Sequence, residues 1–143
     1  MKLKLILMLF FLSGMIISGC IGNSTKQVPV VHVNMTLVEK DGYVQVENYK
    51  LTRELVNYLS RPRATKAESF PAITARTMIV KGKNSSIGPW ETLPYKGNGT
   101  YSFNIGFKED KYPVLNDTVH ISIMIVDKKG GQTGYLVQDM IWK

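Results

Sequence analysis

Asn116–Gly131 reads NDTVHISIMIVDKKGG, and this stretch decides the fold. Val119, Ile121, Ile123 and Ile125 recur at a period of two, with His120, Ser122, Met124 and Val126 alternating between them. A period of two puts the first set on one face of a strand and the second on the other. The β-branched content favours a strand, and Asp127–Gly131 supplies turn chemistry at its end. The spacing therefore predicts a well-buried central strand over Thr118–Val126, which a catalytic loop would not resemble.

The same alternation appears on both sides of it. Gln132–Trp142 reads as a last strand, with Tyr135, Val137 and Ile141 on one side and Leu136, Met140 and Trp142 on the other. Upstream, Lys108–Asn116 is a polar connection. Thr100–Phe107 alternates most cleanly, with Tyr101, Phe103, Ile105 and Phe107 inward and Thr100, Ser102 and Asn104 outward. Lys96-Gly97-Asn98-Gly99 is a turn, Trp90–Tyr95 a short edge strand between Pro89 and Pro94, and Ile73–Val80 a further strand. Val28–Glu39 carries Val31, Val33, Met35 and Leu37 on one face and His32, Asn34 and Thr36 on a wet one. Lys40-Asp41-Gly42 then turns the chain into a return strand beginning at Tyr43–Val46. Asn48–Ser60 breaks the pattern. Leu51, Leu55 and Leu59 recur every four residues opposite Lys50, Arg53, Glu54 and Asn57, which predicts a short amphipathic helix capped by Asn48 and stopped by Pro62. Arg61–Pro71 follows as an irregular basic loop.

Short strands at this spacing, with turns between them, predict a mainly β antiparallel sandwich with one short helix. The run Trp90…Gly99-Thr100-Tyr101…Asp117-Thr118-Val119…Val126-Asp127-Lys128-Lys129-Gly130 resembles the C-terminal half of immunoglobulin-like or fibronectin-III-like surface domains. There a tryptophan-bearing strand leads to a Gly-x-Tyr strand, then to a long buried strand ending in an Asp-x-x-Gly turn. The resemblance covers about 50 residues of the 143. It implies an immunoglobulin-like sandwich over 28–143 and leaves activity open, since such folds host many functions. The chain has no cysteine pair, and the predicted helix is additional to the pattern.

At 143 residues and 44% apolar content the chain is long enough for one domain with its own core. Met1–Lys4 carries two lysines and Leu5–Leu12 is an unbroken apolar run, the plan of a secretory signal over 1–19. The run to Ile17 is too short to span a bilayer, which takes about 20 residues. Ile17-Ser18-Gly19-Cys20 closely resembles the lipobox of prokaryotic lipoproteins. That resemblance implies that Cys20, the only cysteine, becomes a lipidated N-terminus held at the outer face of the membrane. Residues 20–27 then form a short polar tether.

Five of the eight asparagines head an Asn-x-Ser/Thr triplet, where chance would supply about one. Asn23, Asn84, Asn98 and Asn116 fall in the tether or in turns and are glycan candidates, whereas Asn34 falls in mid-strand. Lipobox and sequons together suggest an archaeal envelope protein.

The net charge of +7 becomes +5 once Lys2 and Lys4 leave with the signal. Eight lysines or arginines between Tyr49 and Lys83 face only Glu54 and Glu68. The basic helix and loop, with Lys50, Arg53, Arg61, Arg63 and Lys66, are the expected contact surface for an envelope protein or a polysaccharide. Secretion and the modest charge argue against nucleic acid. There is no HExxH, GxSxG, GxxxxGK(S/T) or GxGxxG motif. Glu109, Asp110 and Asp117 match no calcium loop and read as solvated turn carboxylates. The expectation is a non-catalytic surface module with no cofactor. The alternative is a copper or small-ligand carrier, if the strands bearing His32 and His120 pair so that the two imidazoles face one another.

Overall fold

The computed structural model describes residues 26–57, 71–81 and 85–143. Eight strands follow in chain order: β1 Gln27–Lys40, β2 Tyr43–Asn57, β3 Ala72–Val80, β4 Ser86–Ile87, β5 Glu91–Pro94, β6 Gly99–Ile105, β7 Thr118–Val126 and β8 Gln132–Ile141. All pairings are antiparallel. They make a three-stranded sheet in the order β2-β1-β6 and a five-stranded sheet in the order β4-β3-β7-β8, with β5 also on β3.

β7 lies between β3 and β8 as the alternation of its side chains requires. Its Val119, Ile121, Ile123 and Ile125 are buried, and the side chains between them are half-buried. They share one core with Val31, Val33, Met35 and Leu37 of β1 and with Tyr101, Phe103 and Ile105 of β6. The inner faces of the two sheets therefore pack against each other. At about 25 cal/mol per Å² of buried apolar surface, this shared layer is the main stabilising term of the fold. Trp142 and Phe107 close one end of the core edge to face, with ring centres 5.4 Å apart. Among the described residues no helix is long and apolar enough to cross a membrane.

One expectation is overturned. Asn48–Asn57, read as part of an amphipathic helix over Asn48–Ser60, belongs to strand β2; residues 58–60 lie outside the described ones. β2 pairs with β1 along its whole length, from Lys40↔Tyr43 to Gln27↔Asn57. The pairing shifts where Thr36 faces Asn48 and Leu37 faces Val46, so Glu47 is an extra, bulged residue. A bulge changes which parity faces inward. Before it Val44 and Val46 face the core; after it Leu51 does. The four-residue spacing of leucines suits a helix but is also an even number, and pairing with β1 decides in favour of the strand.

The Asp41-Gly42 turn is a two-residue hairpin with both residues at positive φ, 55° and 80°. At the far edge of the molecule β2 runs alongside β8 without pairing to it. Tyr49 Oη donates to Gln138 Oε1 at 2.8 Å, and the Arg53 guanidinium lies 5.0 Å from the centre of the Trp142 ring. Gly134 approaches so closely that a Cβ there would lie 2.9 Å from the Val44 carbonyl oxygen and 2.8 Å from Ile125 Cδ1. On the other side, Thr77 Oγ1, fully buried on β3, donates to the Gly106 carbonyl at 2.7 Å. These two seams hold the sheets in register with each other.

Candidate functional site

Three surfaces carry the chain's exposed chemistry: the outer face of each sheet and the base, the end opposite the Asp41-Gly42 hairpin.

The outer face of the three-stranded sheet is polar in its middle rows, while Val28 and Val30, on the same face of β1 at the base end, are fully buried. Pairing register sets side chains in rows: Thr52, His32 and Asn104; Lys50, Asn34 and Ser102; Asn48, Thr36 and Thr100. The His32 ring nitrogen Nδ1 is 2.9 Å from Asn104 Oδ1, and the hydroxyls of Thr36 and Thr100 are 3.4 Å apart. Asn34 is exposed in the middle of this face. Asn98 is exposed at the hairpin end, where its side-chain oxygen accepts from the Glu39 amide at 2.8 Å and leaves its nitrogen available.

The outer face of the five-stranded sheet is the more apolar of the two, with Asp139, His120, Ser122, Arg76 and three threonines interleaved among its apolar side chains. Its rows are Ile141, Thr118 and Val80; Asp139, His120, Met78 and Ile87; Val137, Ser122 and Arg76; Tyr135, Met124, Thr74 and Thr92. Of the eleven large apolar or aromatic side chains exposed among the described residues, six stand on or beside this face: Val80, Ile87, Trp90, Tyr135, Val137 and Ile141. Tyr135 is 58% exposed and Ile141 48%. Trp90 stands before β5 with the Arg76 guanidinium 4.6 Å from its ring centre, and is not a core tryptophan. Sequence periodicity marked Tyr135, Val137 and Ile141 as one side of a strand, but only the register assembles them with Val80 and Ile87.

The base carries an open groove of about 840 Å³ lined by Ile79, Lys81, Ser85, Ser86, Ile87, Lys108, Asp110, Lys111 and Tyr112. The Lys111 amide donates to the Lys108 carbonyl at 3.0 Å, and this turn, with Asp110 at φ 60°, sets the two lysines side by side. Lys26 reaches the groove from the first described residue, 3.9 Å from Asp110 and 5.8 Å from the Tyr112 ring centre. Asp117, expected as a solvated turn carboxylate, is instead buried. Its Oδ2 accepts from the Val114 amide at 2.7 Å and pairs with Lys81 Nζ at 3.1 Å. It is a structural tie.

The residues singled out from the sequence are distributed as follows. Cys20, Asn23, Asn84, Arg61, Arg63 and Lys66 lie outside the described residues. Lys50 and Arg53 do not form one helical face. Lys50 stands in the polar row with Asn34, while Arg53 reaches Trp142 at the β2/β8 seam. β1 and β7 belong to different sheets, so His32 and His120 do not face one another. Each is instead bound to the residue paired with it, His32 to Asn104 and His120 to Asp139. Among the described residues no group of three or more His, Cys, Asp or Glu side chains could hold a metal ion. One titratable group among the described residues is displaced. Burial, then the neighbouring Tyr101 and Glu39, raise the Tyr95 hydroxyl above the usual tyrosine value. Compared with known proteins, the chain matches no family model, no curated protein and no solved structure.

Proposed function

We propose that the protein is a non-catalytic interaction module of the cell envelope, held at the outer face of the membrane by lipid on Cys20 and built as an immunoglobulin-like sandwich. The observation that carries the interaction reading is the apolar outer face of the five-stranded sheet. Exposed apolar side chains gathered on one face mark protein contact sites, and Arg76, His120 and Asp139 stand among them as the polar groups that interfaces also carry. The partner is accordingly a second envelope protein. The contact surface moves from the basic stretch Lys50–Lys66 to the face bearing Tyr135, Val137 and Ile141.

What supports the immunoglobulin-like reading is strand order. β3, β7 and β8 lie side by side as the C, F and G strands do in that fold, and β6 beside β1 in the other sheet occupies the place of E beside B. The first hairpin departs from it, because the edge strand β2 follows β1 where the A strand would precede B. The lipid anchor rests on Ile17-Ser18-Gly19-Cys20.

A photo-crosslinking residue at Val137, in the protein in its own membrane, tests the contact face, with Thr52 on the polar face as control. A discrete adduct from position 137 that disappears on Tyr135→Lys is expected. Equal labelling from both positions would remove the apolar face as the contact surface. Intact mass of the same preparation tests the anchor: a chain beginning at Cys20 with added lipid is expected, and one beginning at Met1 without lipid refutes it.

A further inference from the structure

Lys108 and Lys111 have no ion-pair partner among the described residues, and both are exposed. With Lys81 and the hydroxyls of Ser85 and Ser86 they line one groove, whose single carboxylate, Asp110, lies 3.9 Å from Lys26 at its side, so the cations of the groove outnumber its anions. The groove is a surface for anionic oxygen, which ammonium groups and hydroxyls both bind. Its place in the molecule indicates which anion. The chain enters the fold at Lys26, beside the groove, and Cys20 is six residues upstream. Even fully extended, six residues reach only about 20 Å. A lipid on Cys20 therefore holds this end, and no other, close to the headgroups.

We propose that the lysine groove at the base docks on the anionic headgroups of the membrane that anchors Cys20. The domain then stands base-down, with the outer faces of both sheets clear of the lipid. The inference rests on the lipid-anchor reading. Each lysine near an anionic surface contributes about a fivefold preference for the docked state at moderate salt. Lys108 and Lys111 together therefore contribute about 25-fold, enough to turn a mobile tether into a preferred orientation. Docking also sorts the glycan candidates. Asn98 lies at the hairpin end and can carry a glycan. Asn116 is exposed at the base, next to the Asp117–Lys81 pair, and a glycan there would hold the groove off the bilayer.

The test is amide hydrogen exchange of the native protein in vesicles of phosphatidylcholine alone or with about a third phosphatidylglycerol. Segment 106–112 is expected to exchange at least fivefold more slowly in the anionic vesicles. The difference should vanish with Lys108→Glu/Lys111→Glu, and in 1 M salt, where the Debye length is about 3 Å. Both side chains are exposed, so unchanged thermal unfolding will show that the double variant folds. Equal exchange in the two vesicles, or a glycan on Asn116 of the native protein, overturns the proposal. Failure of the anchor reads differently, because a chain without lipid does not sediment with neutral vesicles. Sedimentation of that chain with anionic vesicles, lost on the double substitution, would then support the groove by itself, and its absence would overturn it.

Discussion

The two sheets are built around central strands that are nearly interchangeable on the inside and opposed on the outside. β1 sends Val31, Val33, Met35 and Leu37 into the core, and β7 sends Val119, Ile121, Ile123 and Ile125. Outward, β1 shows His32, Asn34 and Thr36, while β7 shows His120, Ser122 and Met124. These outer sets differ little. The faces diverge because of their neighbours. β2 and β6 flank β1 with Thr52, Lys50, Asn104, Ser102 and Thr100, whereas β3 and β8 flank β7 with Met78, Val80, Tyr135, Val137 and Ile141 among Thr74, Arg76 and Asp139. The surface character of a strand in a sandwich is thus a property of its row.

The largest expected effect tests the shared part of the comparison. Ile121→Ala removes three carbons from a site with no exposure and should cost about 3 kcal/mol, the usual range for a buried aliphatic truncated to alanine. Ser122→Ala, one residue along on the outer face, should change stability by no more than about 0.5 kcal/mol. Denaturant midpoints of the two variants check this, and comparable losses would mean that the face assignment of β7 is wrong.

Next in size is the seam that keeps the two faces apart. A Cβ at Gly134 meets backbone at Val44 and a packed methyl of Ile125, neither of which is the free end of a flexible side chain. Gly134→Ala should therefore cost about 2 kcal/mol through overpacking. Gly42→Ala, where a Cβ meets nothing within 4 Å but φ is +80°, should cost about 1 kcal/mol through backbone strain alone. A smaller loss at Gly134 than at Gly42 would show that β2 and β8 can separate freely.

These contrasts also explain what could be read in the sequence. β7, β6 and the inner face of β1 were legible because an uninterrupted period of two survives in each. β2 was not, because the bulge at Glu47 breaks the period and the leucines beyond it fall at a spacing common to helix and strand. The candidate site was least legible. Tyr135, Val137 and Ile141 were visible as a set, but Val80 and Ile87 join them only through β3–β7, β7–β8 and β3–β4 pairing. The groove likewise gathers Lys81, Lys108 and Lys111 from separate segments. The burial of Asp117 is not legible, because a carboxylate flanked by Asn116 and Thr118 has the composition of an exposed turn, and nothing local announces the Val114 amide or Lys81.

A third pair of substitutions sharpens the difference between the outer faces themselves. Val137→Lys on the apolar face and Thr52→Lys on the polar one both place a cation on an outward position of a sheet. Each should alter stability by no more than about 0.5 kcal/mol. With the photo-crosslinking residue placed at Tyr135 on the same face, only Val137→Lys should abolish crosslinking to the partner, since a charge in the centre of an apolar contact is left desolvated when the partner binds. Loss of the adduct with Thr52→Lys alone would transfer the function to the three-stranded sheet.

The smallest effect concerns a ring pair that bridges the sheets at the hairpin end. Tyr95, just beyond β5, stacks on Tyr101 of β6 with ring centres 6.0 Å apart. Tyr101 Oη receives the Lys96 amide and donates to the Gly97 carbonyl, so it is satisfied. Tyr95 Oη is buried and has no hydrogen-bond partner among the described residues. Tyr95→Phe keeps the stacked ring and removes only that hydroxyl, so at pH 7 it should leave stability unchanged or raise it by up to about 1 kcal/mol. The sign reverses the usual expectation for a lost polar group, and pH gives an independent reading of the same cause. Because burial raises the Tyr95 hydroxyl in the folded protein, the unfolded chain loses that proton first as pH rises. The contribution is fully present below the ordinary tyrosine value and is lost as pH climbs from there through the raised folded value. Thermal unfolding between pH 8 and 11 should accordingly fall less steeply for Tyr95→Phe than for the parent. A parallel decline in the two proteins would mean that the hydroxyl is solvated, and that the sheets meet less tightly at this end than at the base.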